Sequence, residues 1–112
     1  MYAVIFRAVI KKRDSRYFET AERLRRLAKY KYGCLDIISI TEDGREITIS
    51  YWPSKAHISA WNDDPEHCQA QQLGRKIWYS SYQVEVVNIE RAHAFGDQAR
   101  VMTGNTTSAS SR

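Results

Sequence analysis

The side chains best equipped for chemistry are concentrated in one stretch of the chain. Between residues 51 and 82 lie all three tryptophans (Trp52, Trp61, Trp78), two of the three histidines (His57, His67) and the tyrosines Tyr51, Tyr79 and Tyr82. Imidazole titrates near neutrality and can take or return a proton at physiological pH. Indole and phenol rings can wall a pocket while keeping polar tips. His57 and Trp61 are four residues apart and share one face of a helix; His67 and Gln71 do the same on the next. Taken singly, each histidine reads as readily as a hydrogen-bonded structural residue and each tryptophan as core filling. Their concentration is what points to an aromatic pocket. Arg75, after Gly74, suits either an anionic ligand group or an acidic neighbour such as Glu66.

Other chemistries lack their signatures. The chain has no glycine-rich phosphate loop, no HExxH, no GxSxG and no carboxylate pair at a compelling spacing. Cys34 and Cys68 form neither a CxxC nor a zinc-spaced Cys/His cluster, so no metal site is expected and they read as small buried thiols of a reducing cytoplasm.

The elements that must position these residues follow from periodicity. Residues 2–10 are short, apolar and β-branched, a strand with Tyr2, Val4, Phe6, Ala8 and Ile10 on one face and Ala3, Ile5, Arg7 and Val9 on the other. From a cap at Asp14 or Ser15 the period becomes helical, with Tyr17, Ala21, Leu24 and Ala28 stacked and Gly33 as the stop. Residues 34–41 and 45–52 are strands joined by the Asp43-Gly44 hairpin signal. Ser54 caps a short helix carrying Ile58 and Trp61, and Asp64-Pro65-Glu66 starts another carrying Ala70, Leu73 and Ile77, so a break is expected near 62–64. The last strand, 82–89, changes apolar phase and predicts a β-bulge at Val86–Val87. The order β-α-β-β-α-β predicts an α+β, ferredoxin-like domain over residues 1–92, an antiparallel sheet with its helices on one face. Residues 93–112 are an extension ending in a small, polar, mobile tail from 103. The other sheet face is too apolar to leave wet, which predicts a homodimer, sheet facing sheet.

At 112 residues, 43% hydrophobic and 27% charged, the chain is one small domain. Its net charge of +4 is lopsided: residues 7–31 hold ten of the 17 basic and three of the 13 acidic side chains, a local +7 against −3 elsewhere. That excess lies on one helix and the loop before it, a solvated face, and the third strand lacks the Lys/Arg-Gly-aromatic start of an RNA-recognition sheet, so no nucleic-acid partner is expected. No apolar run approaches the roughly 18–20 residues of a membrane span, and Arg7 interrupts the opening apolar run, so neither membrane segment nor signal peptide is expected and the protein is read as cytoplasmic.

The run Ile49-Ser50-Tyr51-Trp52, with Ile58, Trp61, Glu66-His67, Ala70-Gln71, Gly74, Trp78-Tyr79 and Val87-x-x-Glu90-Arg91, resembles the antibiotic biosynthesis monooxygenase family, small dimeric α+β barrel proteins, over roughly residues 2–92. The resemblance implies dimerisation through the sheets and a pocket in each subunit between sheet and helices. The family's cofactor-independent members oxidise aromatic phenols to quinones with an Asn, a Trp four residues on and a Tyr six further; those spacings fall here on His57, Trp61 and His67, so only the tryptophan is kept. The Trp52–Trp61 spacing is also similar to the superfamily's haem-degrading oxygenases, but their Asn and haem-ligating His correspond to Arg7 and Gln71, which disfavours haem degradation.

These readings together predict a monooxygenase without a cofactor, acting with O2 on a small aromatic phenol or quinol-like substrate. His67 is the expected base, His57 the partner of the substrate oxygen and Trp61 the stacking ring. Phe6, Tyr51, Gln71, Arg75, Trp78 and Tyr79 are expected to line the site. The alternative is a non-catalytic small-ligand-binding or stress-response domain of the same fold.

Overall fold

The computed structural model describes residues 1–96; the expected mobile tail from 103 lies outside the described residues. Strand β1 (Tyr2–Ile10) leads into α1 (Ser15–Lys31), β2 (Asp36–Glu42), β3 (Arg45–Trp52), α2 (Lys55–Asn62) and α3 (Pro65–Leu73). A π-helical turn (Gly74–Trp78) then runs straight into β4 (Tyr79–Asn88). The sheet is antiparallel in the order β2-β3-β1-β4, the ferredoxin-like arrangement expected.

The local signals act as their chemistry requires. Asp14 caps α1 by accepting from the Tyr17 amide, Ser54 caps α2 through the His57 amide, and Asp64 caps α3 through the amides of Glu66 and His67 with Pro65 in the first turn. Asp43 and Gly44 both take positive φ, 54° and 73°, in the two-residue turn that matches strand twist. Three details differ from expectation. β2 starts at Asp36 because the Cys34 amide closes the end of α1 on the Ala28 carbonyl. β4 starts at Tyr79, where the π turn ends. The irregularity in β4 is at Ser80, left over where Val9 pairs Ser81 and Ile10 pairs Tyr79, whereas Val86 and Val87 pair regularly with Val4 and Ala3. Val84, Val86 and Val87 remain half exposed on both faces of this edge strand, so their change of phase needs no bulge.

Which face is which follows from two contacts. Trp52 is fully buried against α2, and Glu46 reaches Tyr17 of α1, so both face the helices. Alternation then places Thr48 and Ser50 on the helix side and Ile47, Ile49 and Tyr51 on the open side. Register carries the open side across the sheet: Ile38 pairs Ile49, which pairs Ile5, and Ile40 pairs Ile47. The open face thus carries an isoleucine ladder, with Ile40 63% and Ile47 42% exposed. The helix-facing side of β3 carries the polar residues Glu46, Thr48 and Ser50. The core between sheet and helices is Ala28, Cys34, Trp52, Ile58 and Trp61, edged by Tyr2, Val4, Leu24, Leu27, Tyr32 and Ile37. Among the described residues no helix is long and apolar enough to cross a membrane.

Candidate functional site

The break between α2 and α3 gathers the site. Asp63 and Asp64 turn the chain over the last carbonyls of α2, and α3 then starts in the reverse sense. This places His67, in the first turn of α3, face to face with Trp61 at the end of α2: ring centroids 4.1 Å apart, planes 11° from parallel. His67 Nδ1 lies 3.1 Å from the Trp61 carbonyl oxygen. A carbonyl only accepts, so Nδ1 carries the proton and Nε2 is left with its lone pair. Burial pushes the His67 pKa below its ordinary value, against the smaller opposing pull of the Trp61 carbonyl and Asp64. The imidazole is thus neutral at physiological pH, oriented, and able to accept a proton at Nε2.

Behind this pair is an aromatic wall. Trp61 stacks towards Trp52 at 6.3 Å and meets Tyr32 at 5.4 Å. The Tyr32 hydroxyl donates to Asp64 Oδ2 at 2.7 Å, while Asp64 Oδ1 accepts the amides of Glu66 and His67. Burial raises the Asp64 pKa, and the Tyr32 hydroxyl and the two amides more than offset that, holding the carboxyl below its ordinary range. One carboxylate therefore caps α3, fixes Tyr32 and anchors the residue that bears the imidazole.

The other expected residues lie elsewhere. His57 is exposed, its Nδ1 2.6 Å from Ser54 Oγ, and its ring packs on Gly33, whose Cβ, were one present, would sit 2.9 Å from His57 Cδ2. It shares no hydrogen-bond partner with His67. Trp61 has His67 stacked on it, with Trp52 and Tyr32 as its other aromatic neighbours, so its ring is a platform for the imidazole. Gln71 is half-buried one turn beyond His67. Tyr51 points to the open face of the sheet, away from the helices, because Trp52 points towards them.

Phe6, Trp78 and Tyr79 belong to a second cluster at the far end of the sheet. Six residues of β3 separate Trp52 from Glu46, roughly 20 Å of strand. Here Phe6 meets Tyr79 and Tyr82 at 5.3 and 5.4 Å, and Tyr17 meets Trp78 at 5.3 Å. Arg75 stands exposed at this end, donating to the Tyr82 hydroxyl at 2.7 Å. Of the sequence-expected residues, His67, Trp61 and Gln71 thus lie at one end of the helix-facing surface and Phe6, Arg75, Trp78 and Tyr79 at the other, with His57 and Tyr51 in neither group.

The second cluster has a centre that sequence reading missed. Glu46 is only 7% exposed; its Oε1 accepts from the hydroxyls of Tyr17 (2.5 Å) and Tyr79 (3.0 Å), and its Oε2 from Thr48 Oγ1 (3.0 Å), itself 2.6 Å from Ser39 Oγ. Burial and then the adjoining carboxylate push both tyrosine pKa values up, so both phenols stay protonated donors. The one available signal was parity: Glu46 shares its strand face with Trp52. Among the described residues no group of three or more His, Cys, Asp or Glu is placed to hold a metal.

This fold is that of the antibiotic biosynthesis monooxygenases. The solved structure of one antibiotic biosynthesis monooxygenase superposes with a TM-score of 0.68 at 16% identity, over 81% of this chain and all of that one. SnoaB, a cofactor-independent oxygenase from Streptomyces nogalater, gives 0.69 at 10% identity over 81% and 94%. Rv0793 from Mycobacterium tuberculosis gives 0.71 at 12% over 83% and 98%. No family model matches the sequence. In sequence the chain is 45% identical over 95 residues to YqjZ of Bacillus subtilis (strain 168), covering 84% of this chain and 83% of that protein, and it belongs to the family of YqjZ.

Proposed function

We propose that the protein is a cofactor-independent monooxygenase that oxidises a small phenol or quinol-like aromatic with O2 at the Trp61–His67 end of the helix-facing surface. The observation that carries the reading is the neutral imidazole of His67, fixed on Trp61 with its Nε2 lone pair free. His67 takes the phenolic proton, and the phenolate, far richer in electrons than the phenol, gives one electron to O2. The superoxide so formed couples with the phenoxyl radical at the ring carbon para to the oxygen, and the resulting peroxide receives the proton held by His67. Loss of the hydrogen on that carbon, as a proton, with O–O cleavage releases hydroxide, which becomes water. The balance is one phenol and one O2 to one quinone and one water. SnoaB, a neighbour in fold, is a cofactor-independent oxygenase, which agrees with this chemistry.

The same reading gives the remaining residues their parts. Trp61 and Trp52 keep water from the imidazole, and Gln71 is within a helical turn of it. His57, Tyr51 and Arg75 have no direct part in the reaction. The working unit is a homodimer closed over the apolar sheet face, and two free thiols, Cys34 and Cys68, fit a reducing cytoplasm. Labelling is the direct test: turnover under 18O2 places one labelled oxygen atom in the quinone and the other in water. A quinone carrying only solvent oxygen contradicts the proposal.

A further inference from the structure

His57, displaced from the reaction, lines a groove on the other side of Tyr32. The groove, about 490 Å³, runs between the end of α1 and α2 and is bordered by Lys29, Tyr30, Lys31, Tyr32 and His57 over a floor of Gly33, Ala56 and Ala60. No acidic side chain lines it. Lys29 and Lys31 form no salt bridge among the described residues, whereas the nearby acids are engaged: Asp64 with Tyr32 and the α3 amides, Glu66 with Arg23. Lysines in the last turn complement the negative end of α1, which accounts for their charge but not for what surrounds it.

Three features go further. The Tyr30 ring is 85% exposed beside the lysines, and Lys31 Nζ lies 5.5 Å from the centroid of the Tyr32 ring. The His57 imidazole is held in place: Gly33, at φ +80°, leaves just enough room for it, and Ser54 Oγ engages Nδ1. That hydroxyl also accepts the His57 amide, and Nε2 has no hydrogen-bond partner among the described residues. Cations, a placed imidazole, flat ring surfaces and small alanine and glycine residues on an open surface fit a planar ring bearing a negative charge.

We infer that this groove is a binding site for a small aromatic carboxylate, its acid group held by Lys29, Lys31 and His57 and its ring laid against Tyr30 and Tyr32. The inference does not depend on the oxygenase reading. Tyr32 is the shared wall, touching the groove on one side and Trp61 on the other, so occupancy changes the surroundings of a tryptophan.

Tryptophan emission of the full-length protein, titrated with 4-hydroxybenzoate, benzyl alcohol and inorganic phosphate, tests this. Expected is a saturable change with 4-hydroxybenzoate, weakened about tenfold in the exposed double variant Lys29→Gln/Lys31→Gln and by added salt, with neither benzyl alcohol nor phosphate matching it. Equal binding by the double variant, an equal response to benzyl alcohol, or phosphate binding as tightly as the aromatic acid would overturn the inference. Because His67 lies outside the groove, His67→Ala leaves the midpoint of this titration unchanged while turnover falls about 10²–10⁴-fold, and the two proposals fail separately.

Discussion

At the scale of single residues, His67 and Glu46 are the centres of the two clusters. His67 is neutral, its Nδ1–H given to a carbonyl and its pKa below the usual histidine value of 6.5. As a base it must be unprotonated, so kcat/KM should stay flat as pH falls through 6.5 and decline only below it; a decline centred at or above 6.5 contradicts the assignment. The same shift has a stability consequence. The unfolded chain takes up the proton at 6.5 and the folded chain only at lower pH, so protein stability should fall as pH drops through that window, and His67→Gln should remove that part of the pH dependence of Tm. Glu46 is a buried carboxyl group that accepts from three hydroxyls, those of Tyr17, Tyr79 and Thr48. Glu46→Ala leaves two buried phenols without an acceptor and should cost about 2–4 kcal/mol in urea unfolding.

At the scale of elements, the turn between α2 and α3 does the positioning, and Asp64 holds it. Loss of a helix cap alone costs about 1 kcal/mol, and here the cap also holds the Tyr32 hydroxyl. Asp64→Ala should therefore cost about 2–3 kcal/mol and change the near-ultraviolet circular dichroism of the Trp52–Trp61–Tyr32 cluster; an unchanged tryptophan signal would show that the stack stands without it. This part of the molecule was largely legible in the sequence. Asp64-Pro65-Glu66 announced the break, and the spacing through His67 put that residue in the first turn of α3, where it meets Trp61. What was not legible was the direction of each ring. A four-residue spacing puts His57 and Trp61 on one helix face, yet Gly33 draws the imidazole to the end of α1 while the indole enters the core. Tyr51 was misplaced for a simpler reason: neighbours in a strand face opposite ways, so it could not join Trp52. Glu46 was missed because a charged residue near the start of a strand reads as solvent-facing until Tyr17 and Tyr79 are brought over it.

At the scale of the whole molecule, both faces of the sheet carry apolar residues, Tyr2, Val4 and Trp52 towards the helices and an isoleucine ladder on the open side. Polar Glu46, Thr48 and Ser50 face the helices, while Ile38, Ile40, Ile47 and Ile49 face outward. The sequence carried this pattern in the clean alternation of β3, and the β-α-β-β-α-β order with its sheet topology was readable from it. An outward isoleucine ladder is covered most economically by a second copy of itself. Sedimentation at micromolar concentration should give twice the chain mass, and Ile47→Asp, which sets a charge in the ladder beside Arg7 and Ile40, should give a folded monomer. A wild-type chain that sediments as a monomer contradicts the sheet-to-sheet dimer.

The central claim is that His67, on its tryptophan platform, prepares a phenol to reduce O2 without help from a cofactor. Oxygen consumption by protein stripped of metal and flavin, measured against a panel of phenols and hydroquinones for the wild type and for His67→Ala, tests it most directly. The account predicts saturable O2 uptake with at least one phenol, equal in moles to the quinone formed, and a fall of about 10²–10⁴-fold in the variant with the fold intact by circular dichroism. Uptake undiminished in His67→Ala, or none above background with any phenol that binds, would contradict it.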